Sequence, residues 1–267
     1  MIDRRIAVAS LLTVGLAAGW FLHVLVTPAA KPAPTPTPAP QVQPTPDTPT
    51  VGDPTNTGAR QEVFDDIYRN AKWGTNTGSA GTSGFGSMLS TTLVYRTFLQ
   101  QFMKDAQIKS VVDAGCGDWE FSQAMDWTGI DYKGYDIVGS VVDRDTKMFG
   151  KPNIQFFKGD IVEDDLPPAD LLISKDVLQH LPNADVLKFL TKQVPKYKHV
   201  LLVNGTGNHS LSARNVDIKL GEYRTLDLAN PPFNLHGLKV LTYWDGANMH
   251  QAYYIARPPP PPPDSKR

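Results

Sequence analysis

The sequence predicts an α/β fold, a mostly parallel sheet covered by helices on both faces and preceded by a single N-terminal transmembrane helix. Three observations predict it: short apolar runs alternate with helix-like segments, a glycine-containing turn directly follows the first such run, and an uncharged stretch of membrane-spanning length lies near Met1.

The ends of the chain separate from its centre by composition. No residue from Ile6 to Ala30 is charged, and 6–27, IAVASLLTVGLAAGWFLHVLVT, is long enough to cross a hydrocarbon core of about 30 Å as a helix. The stretch exceeds the roughly 7 to 15 residues of a signal-peptide core, and cleavage after Ala30 would put Pro28 at the minus-three position, so it reads as an anchor. Arg4 and Arg5 before it, against Lys31 after it, place the N-terminus in the cytosol. Residues 28–57, rich in alternating prolines, read as a disordered polyproline spacer of up to about 80 Å, at roughly 3.1 Å per residue. Residues 258–267 read as a disordered Pro-rich tail.

The domain between these ends, 58–257, is long enough for one well-buried core. A net charge of −1 supplies no basic field for nucleic acid. The single cysteine, Cys116, excludes an intrachain disulfide framework and a multi-cysteine metal site. Helical spacing of Phe64, Ile67 and Tyr68 predicts a helix over 61–73, and Leu93, Phe98 and Phe102 predict another over 91–104. Strands are predicted over 110–113, 132–136, 154–157, 170–174, 199–204, 238–243 and 252–255. Most are separated by segments long enough for a crossover helix, such as 184–193, which argues for parallel pairing.

In such sheets ligands bind beyond the carboxyl ends of the strands, where strand order reverses. Asp113, Gly115 and Gly117 follow the first apolar run, and glycines there let the backbone turn and approach a ligand closely. Asp136 ends the second, about 20 residues later, where a carboxylate can accept from both hydroxyls of a ribose. Asp160 follows the third, where it can accept from an adenine amino group.

VVDAGCGD (111–118), YDIV (135–138), GDI (159–161) and ADLLISKDVLQHLP (169–182) resemble the successive signature segments of class I S-adenosylmethionine-dependent methyltransferases. The resemblance spans roughly 61–257. It implies a Rossmann-like seven-stranded sheet with an antiparallel last strand and S-adenosylmethionine as cofactor. Asp113, Gly115 and Gly117 would then line the methionine part, Asp136 the ribose, and Asp160 with the Ile161 backbone the adenine. GTSGFGSMLSTTLVYR (81–96) is similar to the Gly/Ser-rich region and Tyr-Arg helix of a bacterial and viral subgroup. By that likeness the segment closes over the donor, with Arg96 near its carboxylate.

A nicotinamide-dependent oxidoreductase is the rival on this architecture, but its phosphate turn needs a third glycine where this chain has Glu120. A carboxylate repels a pyrophosphate, whereas a donor bearing a sulfonium tolerates it. Methyl transfer to an alcohol also needs a base near the end of the fourth strand, and SKDVLQHLP offers Asp176, Gln179 and His180. His180 leads because its ordinary pKa lies nearest neutrality, with Asp176 as its partner or as the base itself. Lys175 is read as contributing backbone rather than charge. After the fifth strand, Asn204, Asn208, His209, Arg214, Asn215, Asp217, Tyr223, Arg224 and Asp227 suit a hydroxylated acceptor such as a sugar or glycan. His180, His209 and Asp217 match no tight ligand spacing, so no metal is expected.

The expected protein is thus a membrane-tethered O-methyltransferase for a small-molecule or glycan acceptor. A protein or lipid acceptor, and a non-catalytic scaffold on the same fold, are the alternatives. Localisation is in conflict: the charge bias puts the domain across the membrane from the cytosol where the donor is made, and Asn204 and Asn208 begin glycosylation sequons.

Overall fold

A computed structural model describes residues 57–75, 81–207 and 215–256. The predicted anchor at 6–27, the tail at 258–267, and Arg214, Asn208 and His209 lie outside the described residues, as does the predicted spacer except Thr57. Among the described residues no helix is long and apolar enough to cross a membrane.

Two helices, α1 (Thr57–Arg69) and α2 (Leu93–Asp105), precede β1 (Ser110–Ala114). There follow β2 (Asp131–Asp136), α3 (Gly139–Phe149), β3 (Ile154–Lys158), β4 (Leu171–Lys175), α4 (Asn183–Lys192) and β5 (His199–Gly205). A closing hairpin pairs β6 (Leu238–Trp244) with β7 (Met249–Ala256). The seven strands form one sheet in the order β3-β2-β1-β4-β5-β7-β6. All pairings from β3 to β5 are parallel, and β7 runs antiparallel to both β5 and β6.

The sheet is buried on both faces because its central strands carry consecutive apolar residues, Val111–Val112 in β1, Leu171–Ile173 in β4 and Val200–Val203 in β5. In β5, Val200 and Leu202 join one core cluster with Phe189 of α4 and Phe64 of α1. Leu201 and Val203, one residue out of phase, join the other with Tyr95 and Leu99 of α2. A period of two thus sends adjacent residues to opposite cores, as a doubly covered parallel sheet requires.

The first crossover departs from expectation. Between β1 and β2 stands only a one-turn 3-10 segment, Ser122–Ala124, where a covering helix would be usual. Aromatic side chains fill the space: Trp119 packs on Trp127, Tyr132, Phe149 and Phe156, with ring centroids 5.0–6.3 Å apart. This connection also bears on the dinucleotide alternative, since a pyrophosphate site there rests on a helix N-terminus directly after the glycine turn.

Strand order reverses between β1 and β4, so the carboxyl ends of those two strands open a crevice. α1 starts four residues earlier than its apolar periodicity indicated, because Thr57 and Arg60 of its first turn are tied to Asp160. It ends at Arg69 rather than continuing to 73, where Ala71 takes a left-handed conformation at φ 45°.

Candidate functional site

A cavity of about 280 Å³ lies over that crevice. Asp113, Gly115, Gly117, Asp136, Asp160, Ile161, Asp176, His180 and Tyr223 all line it. Gly115 has φ +85°, and a Cβ there would stand 2.4 Å from Val177 Cγ2. Gly117 has φ +57°, and its Cβ would stand 2.7 Å from Ser83 Oγ. Both glycines are therefore required by backbone sign and by space.

The glycine turn is held by the carboxylate that follows it in the fold. Asp136 Oδ2 accepts from Gly117 N at 3.0 Å and Oδ1 from Val138 N at 3.0 Å. Each oxygen retains a further acceptor position toward a diol. Asp113 accepts from the Tyr132 hydroxyl at 2.8 Å. Burial pushes Asp113 up to about 7 and Asp136 up to about 6, despite those bonds, and their proximity to each other adds to the Asp113 shift. Asp145 behind them is pushed to about 8, by burial first and then by Asp118 and Asp136. Crowded, buried carboxylates of this kind are eased by a cation, so the turn fits a ligand carrying an ammonium or sulfonium.

The Gly/Ser-rich segment packs on the turn. Asp118 Oδ2 accepts from the backbone N–H groups of Thr82 and Ser83, and Ser83 Oγ in turn accepts from Asp118 N at 2.9 Å. Tyr68 of α1 shares a 2.8 Å hydrogen bond with the same Ser83 hydroxyl. Ser83 to Ser87 consequently form one wall of the cavity.

Four expectations require correction. Arg96 does not line the cavity: Nη2 donates to Leu89 O at 2.9 Å and Nε to Thr92 Oγ1 at 3.3 Å, which turns it onto its own helix. The cation from this region of the sheet is Lys175, whose Nζ donates to Gly86 O at 2.8 Å and lies 5.8 Å from the Tyr95 ring centre. It contributes charge, not backbone alone. Arg224 is buried, spends its guanidinium on Leu181 O at 2.6 Å and Asn183 Oδ1 at 2.9 Å, and does not line the cavity. Asn204 is likewise buried within β5 and outside the cavity lining, which makes its sequon inaccessible in the folded chain. Asn215 pins the loop by bonding Asp227 and Pro231 backbone groups. Of the loop residues expected to meet an acceptor, Tyr223 is the one described residue in the lining.

His180 and Asp176 share the cavity but are not hydrogen-bonded to each other. The His180 ring nitrogen Nδ1 lies 3.0 Å from Glu222 O, and since a carbonyl only accepts, Nδ1 carries the proton and Nε2 is the free base. Burial holds its pKa below the ordinary 6.5. The ring packs at a tilt against Trp73, with centroids 4.8 Å apart, and against Tyr223, 5.8 Å apart. Asp176, at φ 59°, instead pairs with Lys175 and with His250 Nε2 at 3.1 Å. Burial opposes ionisation of Asp176, but these two cations outweigh it and keep its carboxyl well below the usual range.

His250 and Asp245, 3.4 Å apart in the β6–β7 hairpin, were not singled out from the sequence. Asp245 Oδ1 accepts from Ala247 N and Asn248 N, so the DGAN turn itself carried the signal that this carboxylate is fixed. His250 is pushed above its usual value because Asp176 outweighs the effect of burial.

The sequence profile of the O-methyltransferase domain family matches residues 52–218. The chain belongs to the O-methyltransferase family. No curated protein matches it in sequence. Among solved structures, this O-methyltransferase is similar to magnesium protoporphyrin IX methyltransferase (ChlM) from Synechocystis PCC 6803. With bound SAM, that structure has 14% identity and a TM-score of 0.56, covering 79% of this chain and 100% of that one. With bound SAH the values are 13%, 0.54, 76% and 100%. The likeness establishes the class I methyltransferase fold for this O-methyltransferase, with its seventh strand antiparallel. S-adenosylmethionine is the cofactor of that class.

Proposed function

We propose that this O-methyltransferase moves a methyl group from S-adenosylmethionine to a hydroxyl of a small acceptor, with His180 as general base. When bound, the donor supplies a methyl group activated by a sulfonium. Asp113 and the turn at Gly115 and Gly117 hold its methionine part, Asp136 its ribose, and Asp160 with Ile161 its adenine. Lys175 meets its carboxylate in place of Arg96.

The observation that carries the reading is the fixed tautomer of His180. Its Nδ1–H is committed to the Glu222 carbonyl, its pKa lies below 6.5, and Nε2 is left to take an acceptor proton. Trp73 and Tyr223 pack on this ring and also line the cavity, an aromatic surface that suits a hydroxylated ring such as a sugar or a phenol as acceptor. Because displacement at a sulfonium needs alignment more than acid–base power, this aromatic surface contributes by orienting the hydroxyl. The uncharged segment 6–27 supports a working position beside a membrane.

The test is transfer of label from methyl-labelled S-adenosylmethionine by the full chain to panels of sugars and phenols. Transfer to one panel, lost in His180→Gln with donor binding retained, is the expected result. Transfer unaffected by His180→Gln would refute the base assignment.

A further inference from the structure

Arg60 is a cation at 1% exposure on the first turn of α1, outside every strand-end motif. Its Nη1 lies 3.3 Å from Asp160 Oδ2, its Nη2 2.8 Å from Glu163 Oε1 and its Nε 3.3 Å from Asp185 Oδ2. One guanidinium thus joins α1, the loop after β3 and α4. Thr57 adds a 2.8 Å bond to the same Asp160 oxygen, while Asp160 Oδ1 accepts from Val162 N at 3.0 Å. A carboxylate offers about four acceptor positions. Three are taken here, so the carboxylate plane is fixed and one position remains.

Anchoring α1 does not by itself call for this arrangement. Phe64 and Ile67 already bury the helix in the core, and a buried ion cluster contributes little stability compared with apolar packing of the same volume. Arg60 and Asp160 both line the cavity, next to Ile161 and Phe64. The cavity is therefore polarised. At the glycine turn no arginine among the described residues pairs with Asp113 or Asp136, and the nearby Lys175 is paired with Asp176. Elsewhere in the lining Asp160 is paired with Arg60.

We infer that Arg60 is a positioning residue for donor specificity: it fixes Asp160 so that its remaining acceptor receives the 6-amino group of a purine. The inference rests on the reading of the cavity as the adenosyl donor site. A 6-oxo purine would present an oxygen to the same carboxylate and be repelled. Lysine in place of Arg60 keeps the charge but gives up the fork that reaches three carboxylates at once.

Binding of S-adenosylhomocysteine and S-inosylhomocysteine to the full chain by calorimetry tests this, with Arg60→Lys and Thr57→Val alongside and folding checked by circular dichroism. Wild type should prefer the adenosyl ligand by about tenfold or more. Arg60→Lys should lower that ratio to below about threefold, and Thr57→Val should lower it part-way, with little change in melting temperature for the latter. A variant that folds and keeps the wild-type ratio overturns the inference. If Arg60→Lys does not fold, the ratio in Thr57→Val decides. Failure of wild type to bind either ligand overturns the donor reading itself, a different result from an unchanged ratio.

Discussion

Asp113 illustrates how burial makes a side chain wait for its ligand. Its carboxyl is pushed to about 7, so near neutrality it is partly protonated, and a cationic ligand must draw that proton off. Donor binding should therefore release protons between pH 6 and 8 and tighten as pH rises through that window. Calorimetry in buffers of different ionisation enthalpy measures the release. Asp113→Asn should abolish much of it and weaken donor binding about tenfold. For His180 the pKa moves the other way but the pH dependence has the same sense: protonation removes the base, so turnover should fall on the acid side with an apparent pKa below 6.5. His180→Gln should lower kcat about 100-fold or more while leaving donor affinity unchanged, as kcat and binding measured side by side would reveal. The place of Asp113, Asp136 and His180 in the cavity lining was legible because residues at or shortly after the strand ends border the crevice. That of Arg96 and Arg224 was not, since a flexible cation can turn onto a nearby carbonyl, and sequence position does not say which.

At the scale of elements, the central strands were readable because each is built on a short run of consecutive apolar residues, as VLLV of β5 shows. β7 was read too short, because MHQ at its start lacks apolar alternation and is held by pairing with β5 and β6. The start of α1 was hidden for a similar reason, its first turn being fixed by bonds to Asp160 about 100 residues away. The turn after β1 is the most exacting element. Gly115→Ala should cost about 1–3 kcal/mol from collision with Val177 alone, measured as denaturant midpoint, and should remove donor binding with it. Arg224→Ala belongs to the same scale. It strips the Leu181 carbonyl of a charged donor, so it should destabilise the chain by about 2–3 kcal/mol while leaving the donor affinity of the folded fraction intact.

Over the whole molecule, the crowded carboxylates couple stability to ligand. Asp113, Asp136 and Asp145 have folded pKa values of about 7, 6 and 8 against an ordinary 3.8. The unfolded chain gives up these protons first, so their contribution is full below pH 3.8 and is lost as pH rises through about 6 to 8. The melting temperature without donor should decline over that range, and saturating S-adenosylmethionine should flatten the decline by favouring the ionised forms. The doubly covered sheet was legible from the alternation of strand and helix, whereas the reversal between β1 and β4 emerged from the fold; together they concentrate those carboxylates in one crevice. The hairpin cluster of Asp245 and His250 comes from the far end of the chain, and only the sheet order brings it beside Asp176. The central claim, that the crevice is a site for a cationic adenosyl donor, is tested most directly by titrating S-adenosylmethionine into the full chain by calorimetry. Saturable one-site binding with proton release, weakened in Asp113→Asn, is the predicted result; no binding at millimolar donor would contradict it.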